Sequence, residues 1–319
     1  RACKDYSETT SIDAIVKELT RNIFDGATTE DIEKALILSS TAFIERDPHY
    51  SKVSSRIFLQ RLYKEAMQVS VNDNNLDDQY KQTFIDGVRF GVKNNYLDSR
   101  LSEFDLEKLS NSLIVERDSL FEFIGIQTLY ERYILSHDDR KFELPQAFWM
   151  RVAMGMALNE SNKDSRALEF YNKLSSLEFV SSTPTLFHSG TPHPQLSSCY
   201  LTTVSDDLSH IFKCVGDNAQ LSKWSGGLGN DWTSIRATGS QIKSTNVESQ
   251  GVIPFLKIAN DVTVAINRSG KRRGATCAYL ETWHLDIEDF LDLRRNTGDD
   301  RRRTHDMNTS NWIPDLFMK

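Results

Sequence analysis

The chain has 319 residues, of which 39% are hydrophobic and 26% are charged, and its formal net charge is −7. At about 100–200 residues per domain this length allows two or three domains, and the composition is too apolar for a disordered chain. The acidic balance argues against a nucleic-acid partner, and the absence of an apolar run of ~18–20 residues argues against a membrane span.

The four cysteines are Cys3, Cys199, Cys214 and Cys277. They are too few and too scattered for a disulfide framework, and none forms a C-x-x-C pair typical of zinc sites. We therefore expect a cytoplasmic, globular protein with reduced thiols, in which this chain binds no metal.

The first ~175 residues have the apolar spacing of helices. Thr28 and Asp31 have capping-box spacing, and the Asp47-Pro48 step predicts the end of the helix that follows them. The residues expected on one face of that helix are Ile32, Ala35, Leu36, Ser39 and Phe43. Further helices are predicted at 56–67, 80–93, 106–123, 144–159 and 165–177, with a polar boundary segment at 70–78.

The pattern changes after residue 179, where short apolar segments alternate with turn-rich ones. Strands are predicted at 199–204 and 275–280, and helices at 211–224, 252–267 and 285–293. Strands that alternate with helices favour an α/β architecture. The chain ends at 312–319 in an apolar run without a polar tail, which we expect of a fragment.

Three local features have both a functional and a structural interpretation. The glycine-rich loop predicted at 225–230 either contacts a ligand or is a tight turn. The loop at 268–274 carries four cations and two glycines, so it either binds a phosphate or is a solvated basic turn. Cys199 either works with a second thiol or is a small buried hydrophobe.

Taken together, the segments from residue 182 onward resemble the large (catalytic) subunit of class I ribonucleotide reductase. The matching stretches begin with STPTLFHSGTPHPQLSSCYL and include LSKWSGGLGNDWTSIRATGSQIKSTN and GATCAYLETWHLDIEDFLDLRRNTGDDRRR. In all they cover 182–201, 206–212, 221–246, 249–261, 270–308 and 311–319. Residues 12–67 resemble the latter part of an ATP-cone regulatory domain, and 80–175 resemble the helical domain that precedes the barrel.

The resemblance implies a mixed α/β fold, in which a helical N-terminal region is followed by the first half of a ten-stranded α/β barrel. The domains implied are a partial ATP-cone-like helical region at 1–70, a helical domain at 71–178, and the half-barrel with its effector-site loops at 179–319.

The family reduces ribonucleoside diphosphates to 2′-deoxyribonucleoside diphosphates for DNA precursor synthesis. A thiyl radical removes the 3′ hydrogen, a redox-active cysteine pair reduces C2′, and a glutamate assists proton transfer. Cys199 matches one member of the reducing pair, and Thr183, Ser198 and Gly227 match positions that hold the substrate. Hydroxyl groups and exposed backbone amides suit a diphosphate, because they donate hydrogen bonds without adding bulk.

The resemblance also implies allosteric control by nucleotides. The residues that match a deoxynucleoside triphosphate site at the dimer interface are Asp206, Asp207, Lys223, Arg236, Lys243 and Ser244. The residues that match the loop coupling this effector to substrate choice are Arg268, Ser269, Gly270, Lys271, Arg272, Arg273 and Gly274.

Two departures from the family pattern limit what we expect of the chain alone. The Asn-x-Cys-x-Glu finger-loop motif, the second reducing cysteine and the C-terminal shuttle cysteines are absent, so we expect the chain alone to be inactive. Cys214 and Cys277 do not match these thiols, and we expect structural roles for both. The ATP-cone match lacks its basic N-terminal segment and leaves only Thr29, Glu33 and Lys64 as remnants of a site.

The implied partners are a small subunit that generates the radical at its own metal, a second copy of the chain, thioredoxin or glutaredoxin, and the nucleoside diphosphate. The implied effectors are deoxynucleoside triphosphates or ATP with Mg²⁺, and no covalent cofactor is implied. Two alternatives remain: a non-catalytic nucleotide-binding and dimerisation module that keeps only the effector site, and a cobalamin-dependent reductase with a related barrel.

Overall fold

The structure, a computed structural model, describes residues 2–68, 75–224, 226–243, 245–266 and 275–319. The chain divides into two compact units, Arg1–Leu196 and Ser197–Lys319. The predicted fold class is confirmed: a helical region is followed by a parallel sheet with helices. The ten-strand barrel and the domain boundaries near residues 70 and 178 stay predictions.

The first unit is almost entirely helical. Its α-helices are α1 Ile12–Asn22, α2 Thr29–Thr41, α3 His49–Met67, α4 Leu76–Lys93, α5 Leu106–Ser110, α6 Phe123–Thr128, α7 Pro145–Ala157, α8 Lys163–Ser175 and α9 Thr183–His188. Short 3₁₀ helices lie at Lys4–Tyr6, Ser99–Glu103 and Val115–Leu120, a π-helix at Leu129–Tyr133, and a small hairpin at β1 Ser136–His137 and β2 Arg140–Lys141.

The predicted capping box at the start of α2 is confirmed. The backbone N–H of Asp31 donates to Oγ1 of Thr28 at 3.2 Å, and the N–H of Thr28 donates to Oδ2 of Asp31 at 3.0 Å. Two helix-terminal N–H groups are thereby satisfied. The predicted buried face was partly wrong, because Ile32 is exposed whereas Ile37 is buried.

The single helix predicted at 106–123 is wrong. The structure has α5, a 3₁₀ helix at Val115–Leu120, and then α6. Asp118 lies inside this 3₁₀ helix and is 1% exposed, so the local backbone turns a carboxylate into the core. Three side chains donate to it: Tyr63 at 2.6 Å, Tyr80 at 2.9 Å and Gln146 at 2.7 Å.

The second unit is built on a parallel sheet. Within the described residues its strands lie in the order β3 Cys199–Thr203, β4 Gly227–Asp231, β7 Ala275–Glu281 and β8 Asn308–Trp312. Its helices are α10 Leu208–Lys223, α11 Ile253–Ile266, α12 Ile287–Leu291 and α13 Asp315–Met318, with a 3₁₀ helix at Asp300–Arg302. An antiparallel hairpin, β5 Thr238–Ile242 and β6 Val247–Gln250, stands between β4 and α11.

One face of this sheet is covered by α10 and α11. Asn230 on β4 accepts a 2.7 Å hydrogen bond from Asn218 on α10, and Thr276 on β7 lies 2.8 Å from the hydroxyl of Thr263 on α11. Ala278 and Leu280 complete this buried face, while the residues that alternate with them point to the other side.

The glycine-rich loop predicted at 225–230 is wrong, because Gly227–Asp231 is an inner strand of the sheet. A Cβ at Gly229 would lie 2.6 Å from Cδ2 of Leu201 and 2.9 Å from Cε2 of Tyr279. Glycine is therefore present because side chains of both neighbouring strands lean over β4.

Candidate functional site

The face of the sheet opposite α10 and α11, here called the open face, carries the chemistry-bearing side chains. Register pairs Cys199 with Gly227, and Gly229 with both Leu201 and Cys277, so all of them share this face. Leu201 is 80% exposed and Cys199 is also exposed. The open face thus presents a thiol beside a strand whose first two residues on this face, Gly227 and Gly229, have no side chain.

Cys199, Ser198 and Gly227, three of the residues predicted to act on the substrate, lie together. The N–H of Gly227 donates to the carbonyl of Ser198 at 2.7 Å, where β4 begins beside β3. A Cβ at residue 227 would lie 3.7 Å from Sγ of Cys199. The glycine leaves the space directly beside the thiol free for another molecule.

Tyr279 and Cys277 lie two residues apart on β7 and point to the same open face. The pKa of Tyr279 is raised, first by the negative charge that Cys277 takes on ionising, then by burial, by a hydrogen bond to Cys277, and by Cys199. Burial raises the pKa of Cys277. Neither group is therefore primed to ionise at neutral pH.

Cys277 is too far from Cys199 to form a disulfide in this conformation. The strand β4 lies between them, so their strands are two spacings apart, or about 9.6 Å, whereas disulfides join Cα atoms less than ~7 Å apart. Cys214 is buried on α10, with Sγ 3.6 Å from Nδ1 of His210. The structural roles predicted for Cys214 and Cys277 fit this placement.

Thr183 belongs to the first unit, where it begins α9. Its Oγ1 lies 3.3 Å from the hydroxyl of Tyr133. Its role in substrate binding stays a prediction.

Of the predicted effector residues, the structure joins Asp206 and Arg236. Nε of Arg236 donates to Oδ2 of Asp206 at 2.8 Å, and each side chain is 33% exposed. Asp207 instead caps α10 by accepting from the N–H of His210 at 2.8 Å. Of the two aspartates, Asp206 is therefore the one whose carboxylate lies beside a guanidinium and stays accessible.

Lys223 lies at the opposite end of α10, where its Nζ is 5.4 Å from the ring centre of Trp224. The 16-residue length of α10 separates the two ends by about 24 Å at ~1.5 Å per residue. Lys243 is exposed just after β5. One copy of the chain therefore does not bring all the predicted effector residues to one place.

Ser244 and the coupling-loop residues lie outside the described residues. The loop is bracketed by the end of α11 at Ile266 and the start of β7 at Ala275.

In the first unit, two of the three predicted ATP-cone remnants form an ion pair. Nζ of Lys64 lies 2.6 Å from Oε1 of Glu33, and both residues line a cleft of ≈ 610 Å³ whose walls include α2, α3, the start of α4 and the 3₁₀ helix at Val115–Leu120. Thr29 is the first residue of α2. The positive charge of Lys64 is thus already partnered within the chain.

A family model for the barrel domain of ribonucleotide reductase matches residues 197–319, and a model for the all-alpha domain of ribonucleotide reductase matches residues 119–194. The two matches follow each other in order and together account for more than half of the chain. The chain belongs to the ribonucleotide reductase family.

Large-subunit reductases of bacteria and viruses are similar to the chain along nearly all its length. It is 50% identical over 319 residues to a ribonucleoside-diphosphate reductase subunit alpha of Chlamydia pneumoniae, covering 100% of the chain and 30% of the relative. The subunit alpha of Helicobacter pylori strain J99 is 41% identical over 297 residues, 92% of the chain and 37% of the relative. The large subunit of Monkeypox virus is 36% identical over 314 residues, 96% of the chain and 39% of the relative. The chain therefore spans about a third of the length of the curated reductases it matches.

Two further observations concern metal clusters and membrane-spanning helices. In the part of the chain that the structure describes, no group of three or more His, Cys, Asp or Glu side chains is arranged to hold a metal ion. No described helix is both long and apolar enough to cross a membrane.

Sequence reasoning missed two buried polar residues of the second unit, His284 and Asp286. Neither could be assigned a role from the sequence, because nothing in a linear sequence shows which backbone groups a side chain meets. The signal that was available is the sequence Trp283-His-Leu-Asp286, which places two polar residues in a turn directly after an apolar strand.

Proposed function

We propose that the chain is part of the large subunit of a ribonucleoside-diphosphate reductase, and that Cys199 is one of the two thiols that reduce the substrate. The observation that carries the proposal is the exposed Cys199 thiol on the open face, beside Gly227. A reducing thiol must be accessible both to the substrate and to the reductant that regenerates it, and Cys199 meets this condition.

The proposed net reaction consumes one dithiol for each ribonucleoside diphosphate. A thiyl radical on a finger-loop cysteine takes the 3′ hydrogen and returns it at the end, and a glutamate assists proton transfer. The 2′ hydroxyl leaves as water, while Cys199 and a second cysteine supply two electrons and two protons and become a disulfide. Neither Cys214 nor Cys277 is that second cysteine in our proposal, because Cys214 is buried and Cys277 is two strands away.

Thr183, Ser198 and Gly227 are proposed to bind the substrate. The bare backbone of β4 beside Cys199 allows a ligand to approach closely, which supports the assignment of Gly227. Ser198 precedes the thiol directly, so a hydroxyl there can donate to a diphosphate oxygen near the reacting sugar.

The effector site is proposed to bind a deoxynucleoside triphosphate with Mg²⁺ between two copies of the chain. Arg236 and Lys223 suit phosphate groups, and Asp206 suits hydrogen-bond donors of the sugar or base. Arg236 pairs with Asp206 just before α10 begins, whereas Lys223 is the last residue of α10, and this separation supports a site that draws Lys223 from a second copy. Asp207, Lys243 and Ser244 are proposed as further contacts of the effector, and the loop at 268–274 is proposed to transmit effector identity to substrate choice.

Thr29, Glu33 and Lys64 are proposed to be remnants of an ATP site. A nucleotide phosphate would have to displace Glu33 from Lys64, so we do not extend the proposal to control by ATP or dATP.

The partners proposed for the whole reductase are a separate radical-generating, metal-containing small subunit, a second copy of the large subunit, and thioredoxin or glutaredoxin in the cytoplasm. The names of the relatives support the small subunit and the nucleoside diphosphate substrate. The exposed thiol favours this reductase over a module that only binds nucleotides.

The proposal is tested by Cys199→Ser in the complete large subunit, with Cys277→Ser as the matched control on the same face. We expect Cys199→Ser to abolish multiple turnover with a dithiol reductant while deoxynucleoside triphosphate binding is kept. Cys277→Ser should retain multiple turnover. Sustained dithiol-driven turnover by Cys199→Ser would overturn the role of Cys199.

A further inference from the structure

The short segment 235–238, which carries Arg236, is held on both sides by buried polar side chains from the turn after β7. Nε2 of His284 lies 2.7 Å from the carbonyl of Ile235, one residue before Arg236. The N–H of Thr238, two residues after Arg236, donates to Oδ1 of Asp286 at 3.0 Å and to Oδ2 at 3.2 Å.

The hydrogen bonds of His284 fix both its tautomer and its orientation. The N–H of Asp286 donates to Nδ1 at 3.1 Å, so Nδ1 accepts and the ring proton is on Nε2, which donates to Ile235. His284 is 4% exposed, and both ring nitrogens are used by the backbone. Neither ring nitrogen is therefore left to bind a ligand.

Asp286 is likewise buried, at 5% exposure, and its carboxylate accepts only from backbone groups in the contacts described here. Besides Thr238 it accepts from the N–H of Val252 at 3.1 Å, just before α11. Gly251 has a φ of +74°, and a Cβ there would clash with the Asp286 carboxylate. The chain thus keeps a glycine where a larger residue would displace the carboxylate.

Burying a histidine and a carboxylate is costly unless their hydrogen bonds are made. Both residues make hydrogen bonds that fix the backbone on either side of Arg236. The guanidinium of Arg236 pairs with Asp206 at 2.8 Å. An arginine recognises phosphate through the directions of its N–H groups, so the position of its backbone decides whether those bonds are made.

We propose that His284 and Asp286 are positioning residues for the effector site: they hold segment 235–238 so that Arg236 meets the phosphate groups of a deoxynucleoside triphosphate. The inference rests on the proposed function, since it takes Arg236 as an effector contact. It adds two residues that touch neither effector nor substrate and act through the backbone beside Arg236.

The test compares two substitutions at one position in the complete large subunit with its small subunit. The side-chain amide of His284→Gln can reach the place of Nε2 and donate to Ile235, whereas that of His284→Asn reaches only the place of Nδ1. We expect His284→Asn to weaken dTTP binding about tenfold, the factor that corresponds to one hydrogen bond, and His284→Gln to stay near the wild type. The substrate KM without effector should be the same in both variants, which a general folding defect would not allow.

Equal dTTP affinities of the two variants would overturn the positioning role. Arg236→Ala separates this inference from the effector assignment. If Arg236→Ala weakens dTTP binding but His284→Asn does not, only the positioning role fails. If Arg236→Ala has no effect, the effector assignment fails and the positioning role fails with it.

Hydrogen exchange of the wild-type subunit tests the same inference without any variant, and so covers the case in which His284→Asn does not fold. Adding dTTP should slow amide exchange both at 235–238 and at the 282–286 turn. Protection at 235–238 without any change at 282–286 would contradict the proposed connection.

Discussion

The ring of Tyr279 lies over the backbone of Gly229, so that a Cβ at residue 229 would be 2.9 Å from Cε2 of Tyr279. The same Cβ would lie 2.6 Å from Cδ2 of Leu201, which is on the other neighbouring strand. A methyl group at residue 229 would clash with both side chains and force them to move off β4.

Gly229→Ala is therefore expected to destabilise the second unit by about 1–3 kcal/mol, the usual cost of overpacking. Gly216→Ala on α10 is the matched control, because a Cβ at Gly216 would meet nothing within 4 Å. That control should stabilise the chain by roughly 0.5–1 kcal/mol through the helix preference of alanine. Urea unfolding followed by tryptophan fluorescence measures both changes, and equal shifts would show that β4 has room for a side chain.

The buried carboxylate of Asp118 should make the first unit less stable as the pH rises. Burial raises the pKa of Asp118 from its usual value to about 6, against the opposing hydrogen bonds from Tyr63, Gln146 and Tyr80. The folded state holds this proton at pH values where the unfolded chain has lost it. The contribution of this proton to the free energy of unfolding is therefore full below pH ~4 and is lost as the pH rises to about 6. Roughly two pKa units correspond to about 3 kcal/mol.

Asp118→Asn removes this dependence, since the amide stays neutral at every pH. The stability of the wild type minus that of Asp118→Asn, measured by urea unfolding from pH 4 to pH 7, should fall across this range. A difference that stays constant would show that the pKa of Asp118 is not raised in the folded chain.

The thiols should react with iodoacetamide in the order of their exposure. Cys199 is exposed, whereas Cys3 and Cys214 are buried and burial raises the pKa of both Cys214 and Cys277. Peptide mapping after brief labelling at pH 8 should find Cys199 modified first. Labelling of Cys214 before Cys199 would be incompatible with the placement of α10 on the sheet.

A mixed-dimer experiment tests whether the effector site is shared between copies. Arg236→Ala and Lys223→Ala should each weaken dTTP binding by about 1–3 kcal/mol, because each removes a charged hydrogen bond to phosphate. If Lys223 comes from the second copy, a dimer of one Arg236→Ala chain and one Lys223→Ala chain contains one intact site. Calorimetric titration should then find half of the sites at wild-type affinity, whereas a site within one copy would leave none.

The sequence predicted features that depend on near neighbours along the chain. The capping box of Thr28 and Asp31 and the start of a strand at Cys199 are set within four residues, and both are confirmed. The resemblance rests on many positions along the chain, and it predicted the fold class and the family. Both predictions are confirmed.

The errors fall where distant residues decide the backbone. The glycines at 227 and 229 suggest a loop in isolation, yet both lie in β4, where Leu201 and Tyr279 of the flanking strands leave no room for a side chain at residue 229. The helix predicted at 106–123 is interrupted where Asp118 turns inward to Tyr63 and Tyr80, which lie 55 and 38 residues away along the chain. His284 and Asp286 were missed for the same reason, because their partners are backbone groups of a distant segment.

Disulfide mapping after turnover without external reductant tests the central claim most directly. The complete large subunit, with its small subunit but without external reductant, is given ribonucleoside diphosphate until product formation stops, and its cysteines are then mapped by mass spectrometry. We predict that Cys199 is found in a disulfide with a cysteine other than Cys214 and Cys277, in proportion to the deoxyribonucleotide formed. Product formed in stoichiometric amount while Cys199 stays a free thiol would contradict the account.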